Sequence, residues 1–331
     1  MNKLKKSSLL FLFITLAFFL KCQSQNTNFW TPADSLDKKR FWYLTGGGAL
    51  AYTGASIGLY HIWYKDYPLG NFRFFDDWGQ WENMDKWGHA FTAYTESYLA
   101  YKGARWTGID HKPAVWIGAG IGTLLQGTIE IMDGFSEEWG FSNYDLAFNT
   151  GGVALFTAQE LLWQEQRIVL KVSSTRPNYS TELTTNPGTG FSASTRDVAN
   201  DLYGSSFFEY LVKDYNSMTV WASINPHSFM GKKKETTAFP AWLSVSIGIG
   251  ADEIFGAYGN IWTDSAGNKL PLPQYTRYKQ YYLSLDIDTA KIKTKSPFLK
   301  TIFTAIRWIK IPAPTLEWNQ GKNLVFHPIY W

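Results

Sequence analysis

The sequence predicts an α+β fold: an N-terminal four-helix bundle with apolar, glycine-rich helices, followed by an antiparallel β-sheet or small barrel-like β domain. Three observations predict it. Near residue 168 the composition shifts from long apolar stretches to short alternating runs broken by Gly, Pro, Asn and Asp. Phe41 to Tyr64 and Pro113 to Ile129, 24 and 17 residues, contain no Asp, Glu, Lys or Arg. Beyond Gln166 the apolar period drops from that of a helix to that of a strand.

Residues 1–24 read as a secretory signal peptide. A basic start (Lys3, Lys5, Lys6) precedes an apolar run from Leu9 to Leu20, and small residues place cleavage near Ser24-Gln25. The run is shorter than the ~20 residues that a spanning helix needs. Cys22 is the only cysteine, so the rest of the chain has no disulfide or thiolate chemistry. Acylation of Cys22 is the alternative use of this segment, although Lys21 stands where a lipobox has a small residue. The expected location is the cell envelope, in the outer membrane or periplasm.

After an N-terminal extension at 25–41, the bundle domain is expected over 42–167, with helices at 42–65, 85–103, 113–132 and 143–166. At 1.5 Å per residue the first would be ~36 Å long. It carries Gly54-Ala55-Ser56-Ile57-Gly58, and Gly118 and Gly122 repeat the same spacing, which lets helix backbones approach closely. Pro113 suits a first turn. Ser142 and Asp145 form a capping-box variant. The bundle can be close-packed in water or touch lipid, and apolar length leaves both open.

The β-rich domain is expected over 168–331. Strand-like runs lie at Arg167–Ser173, Ser217–Ile224, Trp242–Ile249, Tyr278–Ile287 and Asn323–Ile329. Turns are expected at 264–268 and 319–322, and a polar linker near 175–200. Ser296-Pro297 opens an amphipathic helix, with Phe298, Ile302, Phe303 and Ile306 beside Lys300 and Arg307, suited to a membrane surface or to covering a sheet. Val325, Ile329 and Trp331 alternate as in outer-membrane strands, while Pro328 weakens that pattern.

The formal charge of +3 falls to about −1 once the lysines of the first 24 residues are removed. A near-neutral chain lacks the field that holds nucleic acid, which is excluded as a partner. Aromatics make up 18 %, with 16 Trp and 19 Tyr, residues suited to an interface that is half apolar and half wet. Membrane lipid or envelope proteins are the expected partners.

The chemistry-bearing residues are the polar ones on the apolar helices. Asp85, Lys86 and His89 open the second helix, and Glu96 follows on nearly the same face as His89. Gln126, Glu130 and Asp133 share a face at the end of the third. Ser142, Asp145 and Asn149 open the fourth. The turn from Asp133 to Ser142 is short, so convergence is expected. Three readings follow: a hydrogen-bond network that fixes helix register, a divalent metal site with His89, Glu130 and Asp133 as candidate ligands, or acid–base catalysis by His89 with Asp85, Glu130 and Asp145.

Asp-Lys-x-x-His, Glu-x-x-Asp and Ser-x-x-Asp with Gly151-Gly152 resemble the motifs of the YfiM-type envelope lipoproteins, a family of unknown function. A looser similarity runs to the VanZ-like membrane proteins, which have Asp-Lys-x-x-His, a Glu ending a later helix and Asp-x-x-x-Asn. The matching residues span about 80–165. The long β-rich extension, with Lys213-Asp214-Tyr215-Asn216, exceeds the short family members and resembles larger envelope versions. The resemblance implies an envelope protein and supplies no reaction. The expected function is therefore a scaffold or envelope-maintenance role. The alternative is a membrane-associated hydrolase, with or without a metal, acting on a lipid-linked or phosphate-containing envelope substrate.

Overall fold

The computed structural model describes residues 28–65, 68–231, 237–320 and 322–331. The expected signal peptide and Cys22 lie outside them. Helix α1 (Lys38–Leu59) is capped by Asp37, whose carboxylate accepts from the Lys39 and Arg40 amides, and it runs on through a π-helical turn at Tyr60–Tyr64. Helices α2 (Met84–Trp106), α3 (His111–Gly134) and α4 (Asn143–Trp163) follow.

The four-helix expectation needs correcting, since only α2, α3 and α4 pack closely. Glycines set their spacing. A Cβ on Gly118 would lie 2.5 Å from the Ser97 carbonyl oxygen, one on Gly122 2.1 Å from Ser97 Oγ, and one on Gly152 2.2 Å from the Ala90 carbonyl oxygen. Helix α1 instead lies along the bundle, mostly exposed, touching Gly103 through Leu44 and reaching Thr128 Oγ1 with Tyr52 OH at 3.0 Å. The small-residue face at Gly54 and Gly58 meets nothing within 4 Å. A helix apolar on every side has no stripe that says which face to bury, so its sequence could not assign a partner. Among the described helices, α3 alone is long and apolar enough to cross a membrane, and 33 % of its most apolar window is buried inside the protein.

Gly152→Ala should push α4 off α2 and cost ~1–3 kcal/mol. Gly120→Ala, with open space around it, should be neutral or gain up to about 1 kcal/mol. Thermal melts followed by circular dichroism would check both.

The second half is built on a six-stranded antiparallel sheet in the order β1 (Ile168–Ser174), β4 (Met218–Ile224), β5 (Leu243–Asp252), β8 (Tyr278–Ile287), β9 (Ala313–Asn319) and β10 (Lys322–Tyr330). Strand β9 escaped the sequence reading, because its alternation is confined to residues 315–319, directly after Pro312 and Pro314. The sheet curls but is not a closed barrel. Strands β1 and β10 share no ladder, and β1 instead receives the Trp308–Lys310 segment, Val172 N donating to the Trp308 carbonyl at 3.0 Å and Lys310 N to the Val172 carbonyl at 2.9 Å. Register shifts in β10, beside the donor-less Pro328, blunt its edge.

The sheet is polar inside and apolar outside. Lys171, Ser223, Ser246, Ser284, Asp286, Thr315 and Glu317 are buried on its inner face. Ile247, Leu283, Leu285, Leu316, Trp318 and Phe326 are exposed on the outer one. The helices cover part of this outer face: Met84 packs with Ala251 and Ile254, and Ile249, Trp81 and Tyr215 lie against that cluster.

The expected polar linker at 175–200 also needs correcting. It holds a short hairpin, β2 (Leu183–Thr185) with β3 (Ser192–Ser194), and helix α5 (Thr195–Tyr203) behind a full capping box at Ser194 and Asp197. Tyr179, Val198, Ala199 and Tyr203 form a second core with Phe255, Trp262, Leu270 and Leu272, the last ones from around β6 (Ile261–Thr263) and β7 (Lys269–Pro271). A few well-placed apolar residues outweighed the Ser/Thr/Asn composition. Helix α6 (Phe207–Lys213) comes next in the chain, and α7 (Pro297–Ala305) starts at its expected N-cap, Ser296.

Candidate functional site

The residues ahead of α2 bring the site together. Trp81, Glu82 and Asn83 all adopt left-handed backbone conformations, with φ of 49°, 56° and 60°, each at ~1–2 kcal/mol for a residue with a Cβ. Their surroundings hold them there. Trp81 N donates to the Ala257 carbonyl at 2.8 Å, Glu82 pairs with Arg277 at 3.1 Å, and Asn83 Oδ1 accepts from Gly79 N at 2.6 Å. The turn aims the first residues of α2 into the bundle and ties them to the β half.

Lys86, fully buried in the first turn of α2, is the centre of one group. Its Nζ donates to Asp77 and lies 2.8 Å from Asp85 Oδ2 and 2.9 Å from Asp145 Oδ1. The Asp145 contact is off the hydrogen-bonding direction and is Coulombic. Burial disfavours the ammonium charge, but the three carboxylates outweigh it and hold the Lys86 pKa above its ordinary value. The same burial raises the pKa values of Asp77 and Asp85. Asp77 also accepts from Ser142 Oγ at 2.7 Å, and Ser142 Oγ in turn accepts from Asp145 N at 3.0 Å. Only half of the expected capping box forms. Ser142 N donates to Glu130 Oε2 at 3.3 Å, leaving the Asp145 carboxylate to Lys86.

His89, one turn later, is the centre of the other group. Its Nδ1 lies 3.2 Å from Asn149 Oδ1 and 3.5 Å from Glu130 Oε1, while Nε2 lies 3.8 Å from Asp145 Oδ1. Asn149 Nδ2 donates to Glu130 Oε1 at 3.3 Å. Burial pushes Glu130 up to about 8, the His89 charge drawing it partly back. Burial also opposes the His89 charge, but Asp145, Glu130 and Asp85 together raise its pKa. The expected convergence of His89, Glu130 and Asp145 is present.

Three expected members, Glu96, Gln126 and Asp133, sit slightly apart. Gln126 Nε2 donates to Glu96 Oε2 at 2.8 Å deeper in the bundle, where burial raises Glu96 to about 7. Asp133 accepts from Tyr64 OH at 2.5 Å and is raised by burial to about 6. Asp77 and Tyr64 were missed. The Asp76-Asp77 pair inside an aromatic loop was the available signal for the first, and nothing local announced the second.

Two triads could hold a metal by distance: His89, Glu130 and Asp145, and Asp77, Asp85 and Asp145, each with ligand atoms within 4.8 Å of one another. The second already surrounds the Lys86 ammonium. In the first, His89 faces Glu130 with one ring nitrogen and Asp145 with the other. An imidazolium bridging two carboxyl groups fits this arrangement. Asp133, expected as a ligand, is absent from both triads and engaged by Tyr64.

Residues 73–160, about a quarter of the chain, match the model of a family described as "Predicted periplasmic lipoprotein (DUF2279)". No curated protein and no solved structure matches the chain. The match spans the left-handed turn, the three packed helices and every residue of the Lys86 and His89 groups. Over these residues the chain is similar to an uncharacterised family whose description places it in the periplasm.

Proposed function

We propose that this is an exported scaffold protein of the cell envelope, at the outer membrane or in the periplasm, in which the Lys86–His89 cluster clamps three helices and a loop in register. The carrying observation is that most of the cluster is buried, with only Asp85 and His89 partly exposed. Lys86 and Glu130 are fully buried, Asp77, Asp145 and Asn149 nearly so, and their polar groups face one another across three helices. Buried polar groups in an apolar bundle have few ways to pair, which makes them good specifiers of one arrangement. Two grooves on the described surface open elsewhere, one between Trp116, Gly120 and Leu124 on α3 and Val153 and Thr157 on α4, the other beside β6 and β7. The hydrolase alternative gains no support from this geometry.

Complementation separates the two roles. In cells lacking the protein, Glu130→Gln keeps the neutral, hydrogen-bonding form of the side chain and should restore the envelope barrier in proportion to the folded protein that accumulates. A Glu130→Gln protein that accumulates to the parental level and melts like the parent yet fails to complement would contradict the scaffold reading.

A further inference from the structure

We infer that the outer face of the β half seats on an anionic lipid bilayer, with acyl chains against the sheet and lipid phosphates against the lysines around α7. The first observation is the inverted sheet. Strands that meet water on one face place polar residues there, yet here Ser, Thr, Asp, Glu and Lys line the buried inner face. The exposed outer face reads Ile247 on β5, Leu283 and Leu285 on β8, Leu316 and Trp318 on β9, and Phe326 on β10. Cross-strand pairing makes it one continuous surface, with Ile247 opposite Leu283, Leu283 opposite Leu316 and Leu316 opposite Phe326. Apolar-out, polar-in alternation is how lipid-facing sheets are built.

The second observation is charge. Helix α7 lies in the connection from β8 to β9, at the end of the sheet marked by Leu285. It exposes Phe298, Leu299 and Ile302, and Lys293, Lys295 and Lys300 are exposed beside them. An apolar helical face flanked by lysines complements an anionic headgroup layer above an apolar interior. The stacked pair Tyr281 and Trp318, 5.4 Å between ring centres, adds amphipathic rings on the same face. An aqueous protein partner would need polar groups to meet across this face, and its strands offer almost none. This inference concerns a surface remote from the Lys86–His89 cluster, so its failure would leave the clamp reading standing, and the reverse.

The test is flotation of the purified mature chain, from Gln25 onward, with vesicles of phosphatidylethanolamine and phosphatidylglycerol, beside vesicles of phosphatidylcholine alone. The parent should float with the anionic vesicles and bind phosphatidylcholine more weakly. Replacing Lys293, Lys295 and Lys300 together by Gln should weaken anionic binding about a hundredfold, at roughly fivefold per surface lysine. The pair Leu283→Asp and Phe326→Asp should reduce binding to both vesicle types on the order of tenfold or more. These side chains are exposed, so all variants should melt like the parent. No flotation of the parent, equal flotation of parent and face variants, or a parent that forms discrete dimers and ignores vesicles would each overturn the inference.

Discussion

Lys86→Met should destabilise the protein by ~3–5 kcal/mol, the usual cost of leaving a buried charge without its partner, and lower Tm by on the order of 10 °C in a chain of this size. One ammonium faces the carboxyl groups of Asp77, Asp85 and Asp145, of which Asp77 and Asp145 are buried. Methionine fills most of the volume, so the loss measured is chiefly electrostatic. Combining Lys86→Met with Asp77→Asn, Asp85→Asn and Asp145→Asn should recover part of it, since removing a buried ion group as a unit costs less than breaking it. Chemical denaturation of the parent, Lys86→Met and the quadruple variant would show whether the lysine and the three aspartates act together.

Stability should also fall steadily as pH rises from about 5 to 8.5. Glu130 titrates near 8 in the folded protein but near ~4.3 when unfolded. Between those values the folded state holds a proton that the unfolded state has released, so each pH unit removes ~1.4 kcal/mol. Glu96, at about 7, and Asp133, at about 6, act in the same direction over narrower windows. His89 adds to the trend, because its raised pKa gives a contribution present below the unfolded value and lost as pH climbs through the folded one. Lys86 is raised from a value already above this range and keeps its charge throughout. Glu130→Gln cannot lose a proton, so its melting temperature should vary less with pH and exceed that of the parent at pH 8.5. Parallel profiles for the two proteins would show that Glu130 is not the buried neutral acid described above.

Much of the helical half was legible because its polar residues are scarce. Against apolar helices, Asp85, His89, Glu130 and Asp145 stand out at helical spacing, and the short turn from Asp133 to Ser142 forces two of their helices together. Asp77 was not legible, since its role depends on a left-handed turn at Trp81, Glu82 and Asn83 that no local preference favours. The place of α1 was hidden by its lack of any polar face. In the β half, Tyr278–Ile287 was read with its observed ends because Leu283, Leu285 and Ile287 alternate with Ser284 and Asp286 behind a β-rich run of tyrosines. The sign of that alternation, which face turns inward, depends on tertiary structure. The curled sheet buries Lys171 against Asp286 at 2.8 Å and leaves the leucines outside.

The central claim is that the cluster holds the fold together. Its most direct test is the thermal stability of His89→Ala and Asp145→Asn beside the parent, with and without added Zn²⁺ or Mn²⁺. His89→Ala takes the imidazole away from Asn149 Oδ1, Glu130 and Asp145, and Asp145→Asn removes a charge from Lys86, each costing ~1–3 kcal/mol. The account predicts that both variants melt below the parent by similar margins with and without metal. Melting at the parental temperature, or parental stability restored by metal alone, would contradict it.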